Sequence, residues 1–335
     1  MKLVLSRPVR ASLLSLIALA LAQCSPSPSP TPDVVTATDS GGAGDAGEGL
    51  DGGQTADAAD TEVATQSDSG RNPLIVARPY RVRAPEGVDR TMPLPLVLLL
   101  HGYGASGALQ DSYFGMSDQV TARRFLLAMP DGTMDAMSNR FWNASDACCN
   151  FGRSAVDDVA YLRAVIDDMG TRYAVDPARI FVVGHSNGGF MGLRLACEMS
   201  DRIAGVVSLA GAGFSVASRC TPARAVNILQ VHGTADATVL YPGGLFGTAR
   251  YPGAEQTVGD WAARNGCGMT RVSSGADLDL DTGLPGADTT RTAHEMCRPG
   301  GAAELWRINN GGHIPALPPT WSTQVIDWLY AHARS

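Results

Sequence analysis

The chain has 335 residues, of which 44% are hydrophobic and 18% are charged, and its formal net charge is −7 at pH 7. Nine acidic residues lie between Asp33 and Asp68, and removing them and the three basic residues before residue 22 from the totals leaves 24 acids against 23 bases. The rest of the chain is therefore nearly neutral. Because a nucleic-acid-binding domain needs a basic face, this balance argues against nucleic acid as a partner.

The N-terminal segment has the pattern of a secretory signal. Lys2, Arg7 and Arg10 precede an apolar run over residues 11–22 that is too short to span a bilayer comfortably. We predict a signal peptide over residues 1–22 rather than a buried N-terminal helix, because a polar segment follows it. No later segment of the sequence is long and apolar enough to suggest a membrane helix.

Two cleavage patterns overlap at the end of this signal. Residues 20–22 suit an ordinary signal peptidase, whereas Leu21-Ala22-Gln23-Cys24 resembles a bacterial lipoprotein box in which Gln23 is a poor fit. We favour lipid modification of Cys24, since a Ser/Pro-rich segment after it would suit a protein tethered to a membrane surface. We therefore expect an exported protein, extracellular or lipid-anchored at the bacterial cell envelope, with membrane contact only through this anchor.

Residues 23–71 are predicted to be a disordered low-complexity linker. From Ser25 to Gly70 the chain is mostly Ser, Pro, Thr, Gly, Ala and Asp, with no aromatic and no basic residue. Such a composition buries too little apolar surface to offset the entropy of ordering the chain. The remaining residues, 72–335, have the size of one domain with a single α/β core.

Residues 72–335 alternate short apolar runs with segments of helical periodicity. Runs that are apolar on both faces are typical of buried parallel strands, and they occur at 94–100, 124–129, 180–183, 203–209, 226–231 and 304–308. Helical spacing appears at 159–169 and 322–333, and we assign Asp157 and Asp158 to the start of a helix rather than to catalysis. The pattern predicts a single-domain, mostly parallel, doubly wound sheet with its ligand site at the carboxyl ends of the strands.

Ser186 lies in the motif Gly184-His-Ser-Asn-Gly-Gly189, directly after the run that ends at Val183 and before an apolar helical segment. A strand that turns this sharply into a helix forces strained backbone angles on the serine, and small residues on both sides prevent clashes. The turn lifts the hydroxyl clear of the sheet. Because the strand before it and the helix after it make this G-x-S-x-G pattern specific, we predict that Ser186 is a nucleophile.

Two backbone N–H groups are predicted to stabilise an oxyanion beside Ser186. The Asn187 N–H lies at the start of the helix, where the helix dipole favours negative charge. The second donor should come from the glycine-flanked turn at 101–104, after an earlier strand, and we assign it to the Tyr103 N–H. The alternative is that these glycines only form a turn.

The acid and the base should follow the nucleophile in the chain, each after a later strand. Asp236 follows the run over 226–231, whereas Asp260 falls in a helical stretch and is less well placed. His313 follows the last strand on a glycine-rich loop that can fold over the serine, whereas His294 precedes that strand. We therefore predict Asp236 and His313, the alternative for His313 being an ordinary loop histidine. The other histidines belong to turns already assigned or to the tail: His101, His185, His232 and His332.

These residues predict acyl transfer. His313 would take the proton of Ser186 as the serine attacks a carbonyl and later return it to the leaving group, while Asp236 holds the imidazole in the useful tautomer. This chemistry needs no metal and no organic cofactor. A loose calcium-loop pattern over 277–288 has its glycine one position late and Asp where Glu is wanted, so we prefer an alternating hairpin strand that ends in a turn there.

Setting Cys24 aside, six of the seven cysteines remain, and disulfides are the default expectation in an exported protein. Cys197 lies three turns along the helix that follows Ser186, near the sheet end away from the site. Cys220 shortly precedes a strand that enters from that same end. We therefore pair Cys197 with Cys220.

Eight motifs stand in order along this region: Leu100-His-Gly-Tyr-Gly-Ala-Ser-Gly107, Pro130-Asp-Gly-Thr133, Asp146-Ala-Cys-Cys149, Val156-Asp-Asp-Val159, Gly184-His-Ser-Asn-Gly-Gly189, His232-Gly-Thr-Ala-Asp236, Asn265-Gly-Cys267 and Gly311-Gly-His313. Across about residues 78–330 they make the chain resemble the polyhydroxybutyrate depolymerase and feruloyl or acetylxylan esterase group of exported α/β-hydrolases. The resemblance implies the same triad, an α/β-hydrolase catalytic domain over 72–335 and an ester as substrate. The chain departs from the group after the histidine, where the group often has an aromatic residue and this chain has Ile314-Pro-Ala316.

The remaining cysteines form two sets. Cys267 and Cys297 flank a loop before the last strand and are expected to pair, as the resemblance also implies. The adjacent Cys148 and Cys149 are left either as a neighbouring disulfide or as free thiols.

The predicted substrate is a short acyl or aryl, feruloyl-like ester. The loops after the strands offer Phe141, Trp142 and Tyr241 as substrate contacts. All three side chains have a large apolar ring, and those of Trp and Tyr also carry a polar group. Ordinary loop packing is the alternative role for each of them. A polyhydroxybutyrate depolymerase is the second reading of the function. A serine peptidase usually carries a screening domain, and an inactive binding lipoprotein should have lost the nucleophile, the base or the oxyanion turn.

Overall fold

The computed structural model describes Glu62–Val63 and Gly70–Arg334, so the predicted signal peptide, Cys24 and most of the predicted linker lie outside the described residues. The helices are α1 (Pro73–Ala77), α2 (Gly107–Phe114), α3 (Val120–Arg123), α4 (Asp158–Arg172), α5 (Asn187–Glu198), α6 (Ala254–Arg264) and α7 (Trp321–Ala331). The strands are β1 (Glu62–Val63), β2 (Arg81–Arg83), β3 (Leu94–Leu100), β4 (Leu126–Met129), β5 (Thr133–Met134), β6 (Arg140–Phe141), β7 (Val175–His185), β8 (Gly205–Leu209), β9 (Asn227–Gly233), β10 (Gly243–Phe246), β11 (Ala249–Pro252), β12 (Arg271–Ser273), β13 (Thr289–His294) and β14 (Ala303–Ile308).

Within the described part of the chain, ten strands form one sheet in the order β1-β2-β4-β3-β7-β8-β9-β14-β13-β12. The central strands from β4 to β14 run parallel to one another, and the outer strands are antiparallel to their neighbours. At one edge, Glu62 and Val63 from the predicted linker pair with β2. The described residues belong to one compact unit, and the predicted fold class is confirmed.

The central strands are buried on both faces, as their continuous apolar sequence predicts. In β3, Leu96 and Leu98 pack in a core with residues of α4, α5 and α6, whereas Val97 and Leu99 pack on the opposite face with Phe114 and residues of α7. Each of the six apolar runs identified in the sequence overlaps one of the strands β3, β4, β7, β8, β9 and β14. The sheet is therefore covered by helices on both sides, and its carboxyl edge stays available for a site.

The helix predicted around 159–169 is α4, and the last helix is α7. Asp157 caps α4, because its side chain accepts a hydrogen bond from the Ala160 N–H at 2.9 Å. Asp158 is fully buried, and its carboxylate binds Arg78 at 2.7 Å and the Asn143 N–H at 2.7 Å. Both residues therefore organise the fold, as the sequence predicts.

The hairpin strand predicted within 277–283 is wrong. Only Leu278 pairs there, in an isolated bridge with Thr289, and the hairpin is built instead from β12 and β13. The reason is a side chain: the Asp288 carboxylate accepts hydrogen bonds from the Leu280 N–H at 3.2 Å and the Asp281 N–H at 2.9 Å. These side-chain acceptors replace the strand partners that the alternating pattern implies.

Three disulfides join the six cysteines of the folded region. Cys197 pairs with Cys220 and Cys267 pairs with Cys297, so both predicted pairings are confirmed. Cys148 and Cys149 form a disulfide between neighbours, which decides between the two alternatives that the sequence leaves open. Among residues 62–63 and 70–334, no helix has the length and apolar character that crossing a membrane requires.

Replacing both Cys197 and Cys220 by Ser is expected to lower the free energy of unfolding by about 3 kcal/mol, because the disulfide closes a loop whose ends are 23 residues apart. Urea unfolding followed by circular dichroism measures this change. Non-reducing peptide mapping of the variant serves as the control, since the other two disulfides should stay intact. An unchanged midpoint with those two pairs intact would show that this cross-link does not constrain the unfolded chain.

Candidate active site

Ser186 stands in the sharp turn between β7 and α5. Its backbone angles are φ 53° and ψ −120°, a region that residues with a side chain rarely occupy. Flanking glycines make the turn possible: a Cβ at Gly184 would overlap the carbonyl of Gly188, and a Cβ at Gly188 would overlap the carbonyl of Leu100. The Ser186 N–H donates to the Leu209 carbonyl of β8 at 2.8 Å. The predicted elbow is therefore present, with its strain held by neighbouring strands.

The three residues predicted to act together lie in one hydrogen-bonded chain. His313 Nε2 is 3.0 Å from Ser186 Oγ, and His313 Nδ1 is 2.8 Å from Asp236 Oδ2. These distances fit a neutral imidazole that carries its proton on Nδ1 and accepts the serine hydroxyl at Nε2. The arrangement places a base beside the nucleophile and an acid beside the base.

Adjacent parallel strands bring Asp236 and His313 together. Asp236 follows β9 and His313 follows β14, and these strands pair in register up to Gly233 and Ile308. The pairing continues past the strands, because the Ala235 N–H donates to the Gly311 carbonyl at 2.9 Å. The glycine-rich loop after β14 is thus anchored to the loop that carries the acid.

The Asp236 side chain is buried and fully hydrogen-bonded. Its Oδ1 accepts the N–H groups of Thr238 at 2.8 Å and Val239 at 2.9 Å, and its Oδ2 faces His313 and, at 3.3 Å, His232. Burial alone would raise the pKa of this carboxyl, but its interactions with His232 and His313 outweigh burial and hold the pKa of Asp236 well below its usual range. Asp236 is therefore a fixed carboxylate throughout the neutral pH range.

His185 supports His313 in a way that the sequence reasoning missed. Its Nε2 donates to the His313 carbonyl at 2.9 Å, and the two ring centroids are 5.0 Å apart. Burial, followed by the neighbouring His313, lowers the pKa of His185 to about 3, so the ring is neutral. The position of His185 directly before Ser186 in the elbow motif is the sequence feature that could have indicated this role.

The loop after His313 is fastened by the segment that resembles a calcium loop. Asp281 Oδ1 accepts the Ala316 N–H at 3.0 Å, and the Thr282 N–H donates to the Ala316 carbonyl at 2.9 Å. On the other side, the Tyr113 hydroxyl donates to the Pro315 carbonyl at 2.8 Å. The acidic residue Asp281 therefore holds the position of the histidine loop.

The two residues predicted as oxyanion donors both belong to elements that border Ser186. Asn187 is the first residue of α5, and its buried side chain accepts the Trp142 N–H at 2.7 Å and donates to the Trp142 carbonyl at 2.9 Å. Tyr103 follows Gly102, where an added Cβ would lie 3.5 Å from Ser186 Cβ. The loop therefore lies against the serine, and the donor roles of Tyr103 and Asn187 stay predictions.

The structure corrects two of the predicted substrate contacts. Phe141 is 2% exposed and Trp142 is 0% exposed, and the Trp142 indole N–H donates to the His101 carbonyl at 3.1 Å. Both rings are packed in the core beneath the oxyanion loop, because the β5–β6 hairpin folds under that loop. Tyr241 is partly buried, with its ring edge-on to His232 at 5.7 Å and its hydroxyl donating to Glu255 at 2.5 Å.

A row of aromatic rings that the sequence reasoning missed runs from the oxyanion loop to α5. Adjacent centroids are 5.6 Å apart from Tyr103 to Phe151, 6.4 Å from Phe151 to Phe246, 4.9 Å from Phe246 to Tyr251 and 6.1 Å from Tyr251 to Phe190. Phe151 is 58% exposed. We call these five residues the aromatic row. They come from two loops and from β10, β11 and α5, so no local sequence pattern indicates their contact.

The fold has a close counterpart among solved structures. An acetyl xylan esterase from Aspergillus awamori superposes with a TM-score of 0.57 at 14% identity, covering 80% of this chain and 99% of that one. The chain has the α/β-hydrolase fold. The profile of the family described as Phospholipase/Carboxylesterase matches residues 150–244 of the chain, which include the elbow and Asp236.

Sequence comparison confirms the resemblance drawn from the motifs. The chain is 29% identical over 246 residues to feruloyl esterase B of Piromyces equi, an alignment that covers 69% of this chain and 42% of that protein. It is 27% identical over 132 residues to poly(3-hydroxyalkanoate) depolymerase C of Paucimonas lemoignei, covering 38% and 30%. The chain thus spans less than half the length of either relative.

Proposed function

We propose that this protein is a serine carboxylic-ester hydrolase. The observation that carries the proposal is the chain of hydrogen bonds from Ser186 through His313 to Asp236 at the strained elbow. The names of the relatives, a feruloyl esterase and a poly(3-hydroxyalkanoate) depolymerase, support an ester as the substrate.

The proposed reaction proceeds through an acyl-enzyme. Ser186 Oγ attacks the ester carbonyl carbon while its proton passes to His313 Nε2, and the carbonyl electron pair moves onto oxygen. The N–H groups of Asn187 and Tyr103 stabilise this oxyanion. Its collapse breaks the bond to the alcohol, which leaves with the proton from His313. A water molecule, activated by the same histidine, then attacks the acyl-enzyme and releases the acid.

We further propose an aryl or short acyl group on the acid side of the ester. The sheet order places β3, which leads into the oxyanion loop, on one side of β7, and β9 and β14 on the other. Since His313 must reach the leaving oxygen, the alcohol lies toward β14 and the acyl group toward the opposite side. Tyr103 and the exposed Phe151 belong to that opposite side, and their faces suit an aromatic ring.

Export is part of the proposal. The basic and apolar pattern over residues 1–22 supports secretion, and three disulfides in the folded region suit an oxidising compartment. Lipid attachment at Cys24 remains a proposal about a residue outside the described part of the chain.

Values of kcat/KM over acetyl, butyryl, palmitoyl and feruloyl esters test the substrate class. We expect cleavage of short acyl esters and methyl hydroxycinnamates and poor cleavage of palmitoyl ester. A turbidity assay on crystalline polyhydroxybutyrate should show little clearing. Strong preference for the polymer would favour the depolymerase alternative, and a preference for palmitoyl ester would contradict the proposed acyl site.

Phe151→Ala is expected to lower kcat/KM for methyl hydroxycinnamate about tenfold, because an aromatic contact is worth roughly 0.5–1.5 kcal/mol and 1.36 kcal/mol is a tenfold change in rate. Hydrolysis of an acetyl ester should change little. Met269→Ala is the matched control, since Met269 is 95% exposed and lies outside the aromatic row. Equal losses on both esters would place Phe151 outside the acyl site.

A further inference from the structure

Asp236 has a second histidine partner that the proposed reaction does not use. His232 is 1% exposed, and its Nε2 lies 2.7 Å from the Val239 carbonyl and 3.3 Å from Asp236 Oδ2. The same Oδ2 binds His313 at 2.8 Å. One carboxylate oxygen therefore lies between two imidazoles.

Gln230 determines where His232 carries its proton. The Gln230 Nε2 donates to the Gly211 carbonyl at 2.8 Å, which fixes the orientation of the amide, and it lies 3.1 Å from His232 Nδ1. An amide nitrogen only donates, so His232 Nδ1 must accept and its proton must be on Nε2. The His232 Nε2–H donates to the Val239 carbonyl at 2.7 Å, and Asp236 Oδ2 lies 3.3 Å from the same nitrogen, close enough for electrostatic attraction. Among the residues that the structure describes, the buried Gln230 oxygen has no hydrogen-bond partner, so the amide is held there by its nitrogen alone.

We propose that His232, oriented by Gln230, is a positioning residue for the triad acid. Its Nε2–H attracts Asp236 Oδ2, keeps that oxygen in the plane that faces His313 and stabilises the negative charge of the carboxylate. This inference rests on the proposed function, since it assigns His232 a role in that reaction. Two backbone N–H groups hold the other oxygen of Asp236. With His232 in place, the carboxylate cannot rotate when His313 becomes charged.

The other titratable groups around this pair keep their charge state in the neutral pH range. His185 faces His313 and stays neutral, because burial lowers its pKa to about 3. Tyr241 packs on His232, and burial followed by its hydrogen bond to Glu255 raises the pKa of the phenol. Burial likewise raises the pKa of Tyr251, and the negative charge of Asp236 acts in the same direction. None of these three groups therefore sets the acid limb of the rate profile.

The test compares His232→Phe with His232→Gln. Phe removes the donor while keeping a ring, and the amide of Gln can place a donor near the position of Nε2. We expect His232→Phe to lower kcat roughly tenfold to a hundredfold, with little change in KM. Loss of a hydrogen-bonding partner of a metal-binding histidine lowers activity by a similar factor. Without the His232 proton, Asp236 offers more charge to His313, so the acid limb of kcat/KM should move up by roughly half a pH unit.

Compared with His232→Phe, His232→Gln should restore most of kcat and return the acid limb of the kcat/KM profile toward its wild-type position. His332→Phe is the matched control, because His332 binds the Trp328 carbonyl on α7 and has no contact with the triad in the described structure; its limb should not move. If His232→Phe leaves the acid limb in place or lowers it, His232 does not act on the charge of Asp236, and the proposal fails.

A second measurement does not depend on activity. In the wild type labelled with ¹⁵N-histidine, the His232 resonances, assigned by their loss in His232→Gln, should show protonated Nε2 and unprotonated Nδ1 at about pH 8. The same spectrum is expected in Ser186→Ala. A proton on Nδ1 would overturn the inference, whereas an unreactive wild type with the expected tautomer would contradict only the proposed function.

Discussion

Replacing Ser186 by Ala is expected to lower kcat/KM for a short acyl ester by on the order of 10⁵-fold to 10⁶-fold with folding intact, as loss of a triad serine does in other hydrolases. The physical reason is that the acyl-enzyme cannot form without the hydroxyl, so only the oxyanion donors and substrate binding remain. His313→Ala should have an effect of similar size. Because the two residues act as one unit, the double variant should be hardly worse than either single one.

The measurement is steady-state hydrolysis of p-nitrophenyl acetate, with circular dichroism to verify folding. Ser112→Ala is a suitable control, since the Ser112 hydroxyl is exposed and bonds only to the Ala108 carbonyl one turn earlier. Near-normal turnover by Ser186→Ala or by His313→Ala would remove that residue from the assignment.

Asp236→Asn is expected to lower kcat about 10⁴-fold, as in other triads where an amide replaces the acid. The structure explains why. Oδ1 receives two backbone N–H groups, from Thr238 and Val239, so the new amide must put its oxygen there and its NH₂ toward His313. A donor then faces His313 Nδ1, which must lose its proton. The imidazole takes the other tautomer, with a proton on Nε2, and can no longer accept the proton of Ser186.

Asp260→Asn provides the matched control for this change. Asp260 also follows Ser186 in the chain, but it lies on α6 rather than after a strand. The same substitution there should therefore leave kcat close to wild type. Retention of more than about a tenth of the activity in Asp236→Asn would show that this carboxylate does not set the tautomer of His313.

The low pKa of Asp236 also predicts that this carboxyl group does not limit activity in mildly acidic assays. Because its folded pKa lies below the unfolded value of about 4, the stability that its charge contributes is fully present above that value and is lost as the pH falls toward the folded pKa. Asp236 therefore stays ionised in mildly acidic assays. Loss of activity in that range should therefore not come from protonation of Asp236.

The elements that could be predicted from the sequence are those with local determinants. The central strands are short runs apolar on both faces, and the elbow needs glycines at fixed spacing around Ser186. Asp236 and His313 could be placed because carboxyl ends of parallel strands meet at one edge of a sheet. The pairing of Cys197 with Cys220 followed from the same geometry.

The contacts that escaped prediction depend on segments distant in sequence. His185 and His232 were assigned to turns, and only the packed loops bring one to the His313 carbonyl and the other to Asp236. Trp142 follows a two-stranded hairpin whose packing under the oxyanion loop leaves no periodic signal. Phe151, in a loop, meets Phe246, the last residue of β10, across about a hundred residues of sequence. Tertiary packing, not local preference, determines each of these positions.

The central claim is that Ser186 is the activated nucleophile, and covalent labelling tests it most directly. Diethyl p-nitrophenyl phosphate should phosphorylate the enzyme once per chain, and peptide mapping by mass spectrometry should place the adduct on the peptide that carries Ser186. Esterase activity should fall in proportion to labelling, Ser186→Ala should take no label, and His313→Ala should react far more slowly. An adduct on a different residue accompanied by the same loss of activity would contradict the account.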